Sequence, residues 1–325
     1  VAAQSQPVDS AHFFTEEKVV AIQLSSDLKK LMVSKAQKDR QPAMVTCRFP
    51  DSTVITEPIN VYARGIFRRQ NCYMPSLMLD FKNKTSPLLR GLHSLKLVGG
   101  CRVGKDYEQL LLKEYIIYKI YNLLTDKSFR VRLVYMTYDD TQKKVKSYSQ
   151  YGFLLENMDE LTRRNHCREL KKVKVPTQAT DRKQMTLVDI FQYMIGNTDW
   201  SVPVYHNIRL MQPEDDSAAR PYVIPYDFDF SGLVNAEYAA PAPELGTESV
   251  TERVYRGFPR SMQEIQETLD LFRQKKDSIY ALINHFDLLW EGTRREMTGY
   301  LDDFYSTINN KDQVQQVFID NARLR

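Results

Sequence analysis

The strongest constraint on the fold is that the first half of this chain has one long stretch of helical length set among short strand-like runs. Residues 107–124 are rich in Leu, Ile and Tyr over a length typical of a helix. The shorter runs around it are rich in β-branched and aromatic residues and predict strands at 18–24, 43–49, 59–63, 77–81, 92–98, 130–138 and 151–156. The first half of the chain is therefore predicted to be β-rich with one long helix.

The second half of the sequence has a different character. Residues 185–195 predict a helix that a Gly-Asn pair ends. Two strand-like segments follow, at 208–211 and 222–230, and are joined by a polar loop. From residue 262 to about residue 324, the apolar spacing predicts a nearly continuous helix.

A charged segment, residues 157–174, is the predicted boundary between the two halves. We therefore expect an N-terminal tail over residues 1–17, a β-rich lobe over 18–156, and a mostly helical lobe over 157–325. A chain of 325 residues has room for two such lobes or for one large domain.

Composition excludes several classes of partner and site. Lys and Arg number 45 against 41 Asp and Glu, so a net charge of +4 gives no reason to expect nucleic acid or an anionic membrane as the main partner. The longest apolar stretch, around residues 115–124, is interrupted by Lys119 and Asn122, so no transmembrane segment is predicted. The 4 cysteines form no CxxC pair, which excludes a zinc knuckle and leaves their redox state open.

The predicted long helix carries one carboxylate on its apolar face. At about 100° per residue, Glu114 lies in a row with Leu110, Ile117 and Tyr121. A buried carboxylate is costly unless it is paired. The sequence leaves two interpretations open: a local partner or contact with solvent, or a buried ion pair with Lys96 in the apolar strand upstream.

The segment YVIPYDFDF, residues 222–230, carries two acidic residues two positions apart. On a strand, Asp227 and Asp229 share one face at roughly 7 Å. Their charges repel unless a cation or a hydrogen-bond donor lies between them, and carboxylate oxygens suit Mg²⁺ or Ca²⁺. The alternative is a turn whose carboxylates are solvated.

Residues 196–207, GNTDWSVPVYHN, form a polar loop between the predicted helix and strand. The loop offers Asn197, Asp199, His206 and Asn207, a set that either supports catalysis or only forms turns. The sequence contains no GxSxG, HExxH, Walker A or GxGxxG motif. Hydrolase, zinc-protease, P-loop and dinucleotide-binding functions are therefore disfavoured.

Taken in order, the strand lysine, helix glutamate, loop aspartate and strand-end aspartates follow the order of parts in a protein-kinase-like phosphotransferase. With this order of parts, the chain resembles the spore-coat protein H (CotH) kinase family over about residues 18–232. The resemblance rests on VVAIQLSSDLKKLM with AMVTCRF, INVYARG, LKLV with LLLKEYIIYKIYNLL, YGFLLENMDE, and GNTDWSVPVYHNIRL with YVIPYDFDFSG.

The resemblance implies a two-lobed, protein-kinase-like α+β fold and a role for each matching residue. The resemblance implies that Lys96 binds the phosphates of the nucleotide, that Glu114 holds Lys96, and that Asp199 is the catalytic aspartate. It implies that Mg²⁺ is bound by Asn207 and Asp229, together with Asp227. The backbone that begins at Glu156 and runs to residue 158 would contact the adenine, and the basic turn from Arg64 to Arg69 would cover the phosphates. Three features depart from the family. Asn207 follows Asp199 by eight residues, the covering turn is not rich in glycine, and Met78 and Asp80 stand where basic residues are common.

The activity implied by the resemblance is ATP- and Mg²⁺-dependent transfer of phosphate to a Ser or Thr hydroxyl of a protein. Two alternatives stay open: a non-catalytic envelope or surface protein of the same fold, and transfer of the nucleotidyl group. The initial Val and the small, polar residues 2–10 are compatible with a trimmed, exported chain of the bacterial periplasm or cell envelope.

Overall fold

The computed structural model of the chain describes residues 10–33, 39–65, 67–81, 86–171 and 173–323. The chain divides into two compact units. The first is formed by Val1–Tyr115 and Arg130–Glu160, and the second by Ile116–Phe129 and Leu161–Arg325. The long helix therefore contributes its first half to one unit and its second half to the other.

The strands and helices follow one another along the chain as named here. The strands are β1 (Val20–Ser26), β2 (Gln41–Arg48), β3 (Val54–Arg64), β4 (Ser76–Asp80), β5 (Ser94–Gly99), β6 (Val131–Asp140), β7 (Tyr148–Leu155), β8 (Cys167–Glu169), β9 (Ile208–Pro213) and β10 (Tyr222–Pro225). The α-helices are α1 (Ser10–Thr15), α2 (Leu28–Val33), α3 (Phe67–Asn71), α4 (Pro87–Gly91), α5 (Lys105–Leu124), α6 (Met158–Arg164), α7 (Arg182–Ile195), α8 (Met262–Asn284), α9 (Glu291–Asn309) and α10 (Lys311–Val314). A π-helical turn, Gln315–Asp320, follows α10.

The first unit is a closed seven-stranded β-barrel in the order β1-β2-β3-β4-β5-β7-β6. The expectation of a two-lobed, protein-kinase-like fold is therefore wrong. Closure comes from the parallel pairing of β1 with β6, which runs from Val20 opposite Val134 to Ser26 opposite Asp140. The other neighbouring strands of the barrel are antiparallel. Strand propensity predicts that a segment is extended, but it does not indicate which edges will pair.

Alternation along the strands builds the core of the barrel. In β1 the residues Val20, Ile22 and Leu24 are buried, and the residues between them are more exposed. They belong to one apolar cluster with the buried side chains of the other strands, among them Leu95 and Leu97 of β5. Full burial of each such side chain contributes about 1.5–3 kcal/mol. This core specifies which face of each strand points inward.

In the second unit, α7 is defined at both ends by local chemistry. Asp181 caps its start, because the side chain accepts a hydrogen bond from the Gln184 N–H. Gly196 ends it in the left-handed region, at φ 64°. A side chain at position 196 would also collide with the Tyr300 hydroxyl, since a Cβ there would lie 2.0 Å from that oxygen.

The predicted continuous C-terminal helix is instead divided into α8, α9, α10 and the π-helical turn. Residues 285–290 form the break between α8 and α9, and they contain neither Gly nor Pro, the strongest helix-ending residues. Tertiary contacts decide it. The two helices run antiparallel, with Tyr280 donating to Asp302 at 2.5 Å and Arg273 donating to Asn309 at 3.2 Å.

A disulfide joins Cys72 to Cys101 in the first unit, across 29 positions of sequence, while Cys47 and Cys167 are buried free thiols. We expect the variant with Cys72→Ser and Cys101→Ser to lose about 3 kcal/mol of unfolding free energy, because the open chain gains loop entropy when it unfolds. Urea unfolding with and without a reducing agent measures this. Reductant should lower the midpoint of the wild type and leave that of the variant unchanged; equal wild-type midpoints would contradict the prediction.

Among the helices that the structure describes, none combines the length and apolar character needed to cross a bilayer.

Candidate functional site

The loop that follows α7 is built by its own polar side chains. Asn197 donates to Gln192 Oε1 at 2.9 Å, which ties the loop to the last turn of the helix. The Asp199 N–H donates to Asn197 Oδ1 at 3.0 Å, and the indole of Trp200 donates to the Asn197 carbonyl at 3.2 Å. The backbone around Asp199 is therefore held in one conformation.

Both carboxylate oxygens of Asp199 are engaged. Oδ1 lies 2.7 Å from His206 Nε2, and Oδ2 accepts a hydrogen bond from Asn207 Nδ2 at 2.9 Å. The same Asn207 nitrogen donates to the Asp199 carbonyl at 2.8 Å. Even so, 37% of the Asp199 side chain is exposed, so the carboxylate can be reached from solvent.

The spacing of eight residues between Asp199 and Asn207 does not separate them. Ser201 and His206 exchange both backbone hydrogen bonds, each at 2.9 Å, so the residues between them fold outward as a small turn. This turn returns the chain to Asp199. The structure thus brings together the predicted catalytic aspartate and the predicted metal-binding asparagine in spite of their departure from the family spacing.

The segment that carries Asp227 and Asp229 is joined to the same loop by backbone hydrogen bonds. The Tyr226 N–H donates to the Asn207 carbonyl, and the Gly232 N–H donates to the Gly196 carbonyl, both at 3.0 Å. These bonds flank the two aspartates on either side. Asn207, Asp227 and Asp229 therefore belong to one region of the second unit.

The strand predicted over 222–230 is shorter in the structure. β10 ends at Pro225, and Asp227 has φ 67°, so the two aspartates do not follow strand alternation. The Asp227 N–H donates to the hydroxyl of Tyr118, at 2.8 Å. Asp229 is 7% exposed and accepts a hydrogen bond from the Tyr238 hydroxyl at 3.3 Å.

Three residues of this region have a positive φ although none is glycine: Tyr205 at 58°, Asn207 at 50° and Asp227 at 67°. Such conformations are uncommon, and for a bulky residue such as tyrosine they carry strain. Among the described residues, positive φ is also found at Ser52, His93, Lys143, His166 and Asn235, so this feature does not by itself mark the site.

The donor atoms of this region fit a hard cation. Because Asn207 uses its amide nitrogen on Asp199, its oxygen Oδ1 remains as the ligand atom, in the region that also contains Asp227 and Asp229. Oxygen donors in small number suit Mg²⁺, which keeps water and phosphate oxygens as its other ligands. Within the described parts of the chain, no three or more His, Cys, Asp and Glu form a group that could hold a metal by themselves.

The carboxylate on the apolar face of α5 is paired. Arg68 Nη2 donates to Glu114 Oε2 at 3.2 Å, and Arg68 Nη1 donates to the carbonyl of Gly99 at 2.7 Å. Glu114 is 1% exposed and Arg68 is 8% exposed, so this is a buried ion pair within the first unit. It favours the interpretation of Glu114 as a buried charge, with a partner from α3. The predicted pair with Lys96 stays a prediction.

The other residues assigned to nucleotide binding also lie in the first unit. Lys96 is half-buried in β5, opposite Met78 and Leu155, on the strand face away from Leu95 and Leu97. The Glu156 carboxylate accepts a hydrogen bond from the Arg130 N–H at 2.9 Å.

The predicted phosphate-covering turn includes a short helix. Arg64 ends β3, and α3 begins at Phe67, while Ile66 between them lies outside the described residues. Arg69 Nε donates to the Gly65 carbonyl at 2.5 Å. The nucleotide contacts implied for Lys96, Arg64 and Glu156 stay predictions.

Sequence reasoning missed one residue that supports the loop. Arg256 Nη1 donates to the carbonyls of Thr198 and Trp200, each at 2.7 Å, so it holds the backbone on both sides of Asp199. Its guanidinium also lies 5.0 Å from the Trp200 ring centroid. The sequence feature that could have indicated this role is a group of three arginines, Arg253, Arg256 and Arg260. They lie in a segment whose apolar residues follow neither a helical nor a strand spacing.

No protein-family model matches this chain, and no curated protein is similar enough to it to be counted as a relative.

Proposed function

We propose that the second unit carries the catalytic centre of an ATP- and Mg²⁺-dependent phosphotransferase that acts on a Ser or Thr hydroxyl of a protein. The observation that carries the proposal is the geometry of Asp199. Its carboxylate is accessible, it is held by His206 and Asn207, and it lies in the region that also contains Asp227 and Asp229. An oriented carboxylate beside oxygen ligands for a cation is what phosphoryl transfer requires.

In the proposed step, the substrate hydroxyl oxygen forms a bond to the terminal phosphorus of ATP. The bond from that phosphorus to the bridging oxygen breaks, ADP leaves, and the hydroxyl proton passes to Asp199. A carboxylate has about four lone-pair positions, so Asp199 can accept this proton while it keeps its hydrogen bonds. His206 and Asn207 act as positioning residues, because they orient the carboxylate of Asp199.

The residues that would hold Mg²⁺ are Asn207, Asp227 and Asp229. When bound there, Mg²⁺ would neutralise negative charge on the phosphate oxygens of ATP. The hydrogen bond from the Tyr226 N–H to the Asn207 carbonyl supports this assignment, because it holds the backbone next to Asp227 alongside Asn207.

Isothermal titration with ATP in the presence and absence of MgCl₂ tests the proposal. The wild type should bind ATP only with Mg²⁺, and Asp229→Asn should weaken binding by about tenfold or more, because it removes a charged ligand. Asp215→Asn, an exposed aspartate of the same unit, removes the same charge and should bind like the wild type. Absence of any Mg²⁺-dependent binding by the wild type would contradict the proposal and favour the non-catalytic alternative.

Transfer of the nucleotidyl group would use the same oriented carboxylate and the same cation ligands. Mass spectrometry of the modified acceptor separates the two reactions, because phosphate and AMP add different masses. We also propose that the protein is exported, since the Cys72–Cys101 disulfide is typical of an oxidising compartment.

A further inference from the structure

Four polar residues of the second unit form a group that we call the polar centre. Asp189 and Gln192 lie one turn apart on α7, and Tyr255 and Arg256, in the segment before α8, both interact electrostatically with Asp189. Asp189 is 1% exposed, and among the described residues neither of its oxygens has a hydrogen-bond partner. The same holds for Gln192 Nε2, for the Tyr255 hydroxyl and for Arg256 Nε, all of them buried.

Buried polar atoms in folded proteins are almost always hydrogen-bonded to protein or to ordered water. Here five such atoms belong to four residues, and they are chemically complementary. Asp189 provides two acceptor oxygens, while Gln192, Tyr255 and Arg256 each provide a donor. A ligand of the polar centre must therefore both donate and accept hydrogen bonds.

The charges around Asp189 decide which ligand fits. Burial raises the pKa of Asp189 to about 7, against the guanidinium groups of Arg260, Arg256 and Arg323, which act in the opposite direction. Three guanidinium groups disfavour a cation at this place, and an anion, which only accepts hydrogen bonds, would leave the two Asp189 oxygens without a donor. Water, which is neutral and both donates and accepts, fits the set.

Two members of the polar centre also hold the loop that carries Asp199. Arg256 donates through Nη1 to the carbonyls of Thr198 and Trp200. Gln192 accepts from the Asn197 side chain through Oε1, and its carbonyl accepts from the Asn197 N–H at 2.9 Å. The same two side chains also carry buried atoms that lack a partner among the described residues, Arg256 Nε and Gln192 Nε2.

We propose that the polar centre is an internal water site, and that water bound between Asp189, Tyr255, Gln192 and Arg256 fixes the last two side chains against the loop around Asp199. Asp189 then acts on the loop through Arg256 and Gln192, without contacting it. The proposal concerns the folded chain alone and does not depend on the phosphotransferase assignment.

The first test is a high-resolution crystal structure of the full chain. We expect at least one ordered water within hydrogen-bond distance of an Asp189 oxygen and of a second member of the polar centre. A direct hydrogen bond that satisfies both oxygens of Asp189 from Arg256 or Arg260 would overturn the proposal. So would a halide at this place, which a bromide soak would reveal by its anomalous signal.

The second test is hydrogen exchange of the backbone amides of residues 197–201, which needs no nucleotide. Tyr255→Phe removes only the hydroxyl, and Asp189→Asn keeps the side-chain shape. Both should raise exchange in this segment about tenfold relative to the rest of the unit. If the hydroxyl of Tyr255 binds nothing, its removal is neutral, so unchanged exchange in Tyr255→Phe would overturn the proposal.

Asp181→Ala is the matched control. It removes the N-cap of α7, the same helix, and so lowers stability without touching the polar centre. Exchange should then rise across the helix with no excess in residues 197–201. An equal pattern in Asp181→Ala and Asp189→Asn would mean that Asp189 serves only general stability, and the proposed effect on the loop would be wrong.

Discussion

Replacing Asp199 by Asn is expected to slow phosphate transfer by a factor of about 10²–10⁴, the usual contribution of a positioned general base. Asparagine has nearly the same size and can still accept the hydrogen bond from Asn207 through its side-chain oxygen. It cannot take up the proton of the attacking hydroxyl. Single-turnover transfer from ATP labelled at the terminal phosphate, followed on the acceptor protein, measures the rate.

The same variant should bind ATP and Mg²⁺ like the wild type, because Asn207, Asp227 and Asp229 are unchanged. This separates it from Asp229→Asn, which is expected to bind ATP about tenfold or more weakly. Asp215→Asn serves again as the control for the loss of one negative charge. Transfer at the wild-type rate by Asp199→Asn would rule out Asp199 as the catalytic base.

The second large effect concerns the buried ion pair of the first unit. Glu114→Gln is expected to lower the free energy of unfolding by about 4 kcal/mol, because it removes the buried negative charge that accepts a hydrogen bond from the guanidinium of Arg68. The measurement is chemical denaturation of the full chain at neutral pH, with unfolding of the first unit followed by its own probe. A loss below about 1 kcal/mol, the range of exposed pairs, would contradict the burial of this charge.

A double-mutant cycle identifies the partner of Glu114. Combined with Arg68→Met, Glu114→Gln should cost less than the sum of the two single changes, with a coupling energy of about 2 kcal/mol. The matched cycle with Lys96→Met measures the pair that the sequence predicted. A larger coupling with Lys96 than with Arg68 would contradict the assignment of Arg68 as the principal partner and support the original prediction.

Local sequence patterns were sufficient for most individual elements. The helix predicted over 107–124 is present as α5, Lys105–Leu124, and the helix predicted over 185–195 is present within α7. Glu114, predicted as a carboxylate on the apolar face of α5, is 1% exposed, but the polar residues Glu108, Gln109 and Lys113 of the same helix are buried as well. Side-chain period, capping and chain-reversing residues act over a few positions, so they can be recognised without the fold.

The tertiary structure decided what depends on distant partners. The parallel pairing of β1 with β6 closes a barrel where a two-lobed, protein-kinase-like fold was expected. Arg68 reaches Glu114 across 46 positions, and the break between α8 and α9 arises without Gly or Pro. Strand edges and long side chains can combine with many others at similar local energy, and only the packing of the whole chain selects one combination. The sequence alone therefore determines most of the helices and strands and shows that the charge of Glu114 needs a partner. The fold determines that Arg68 is such a partner.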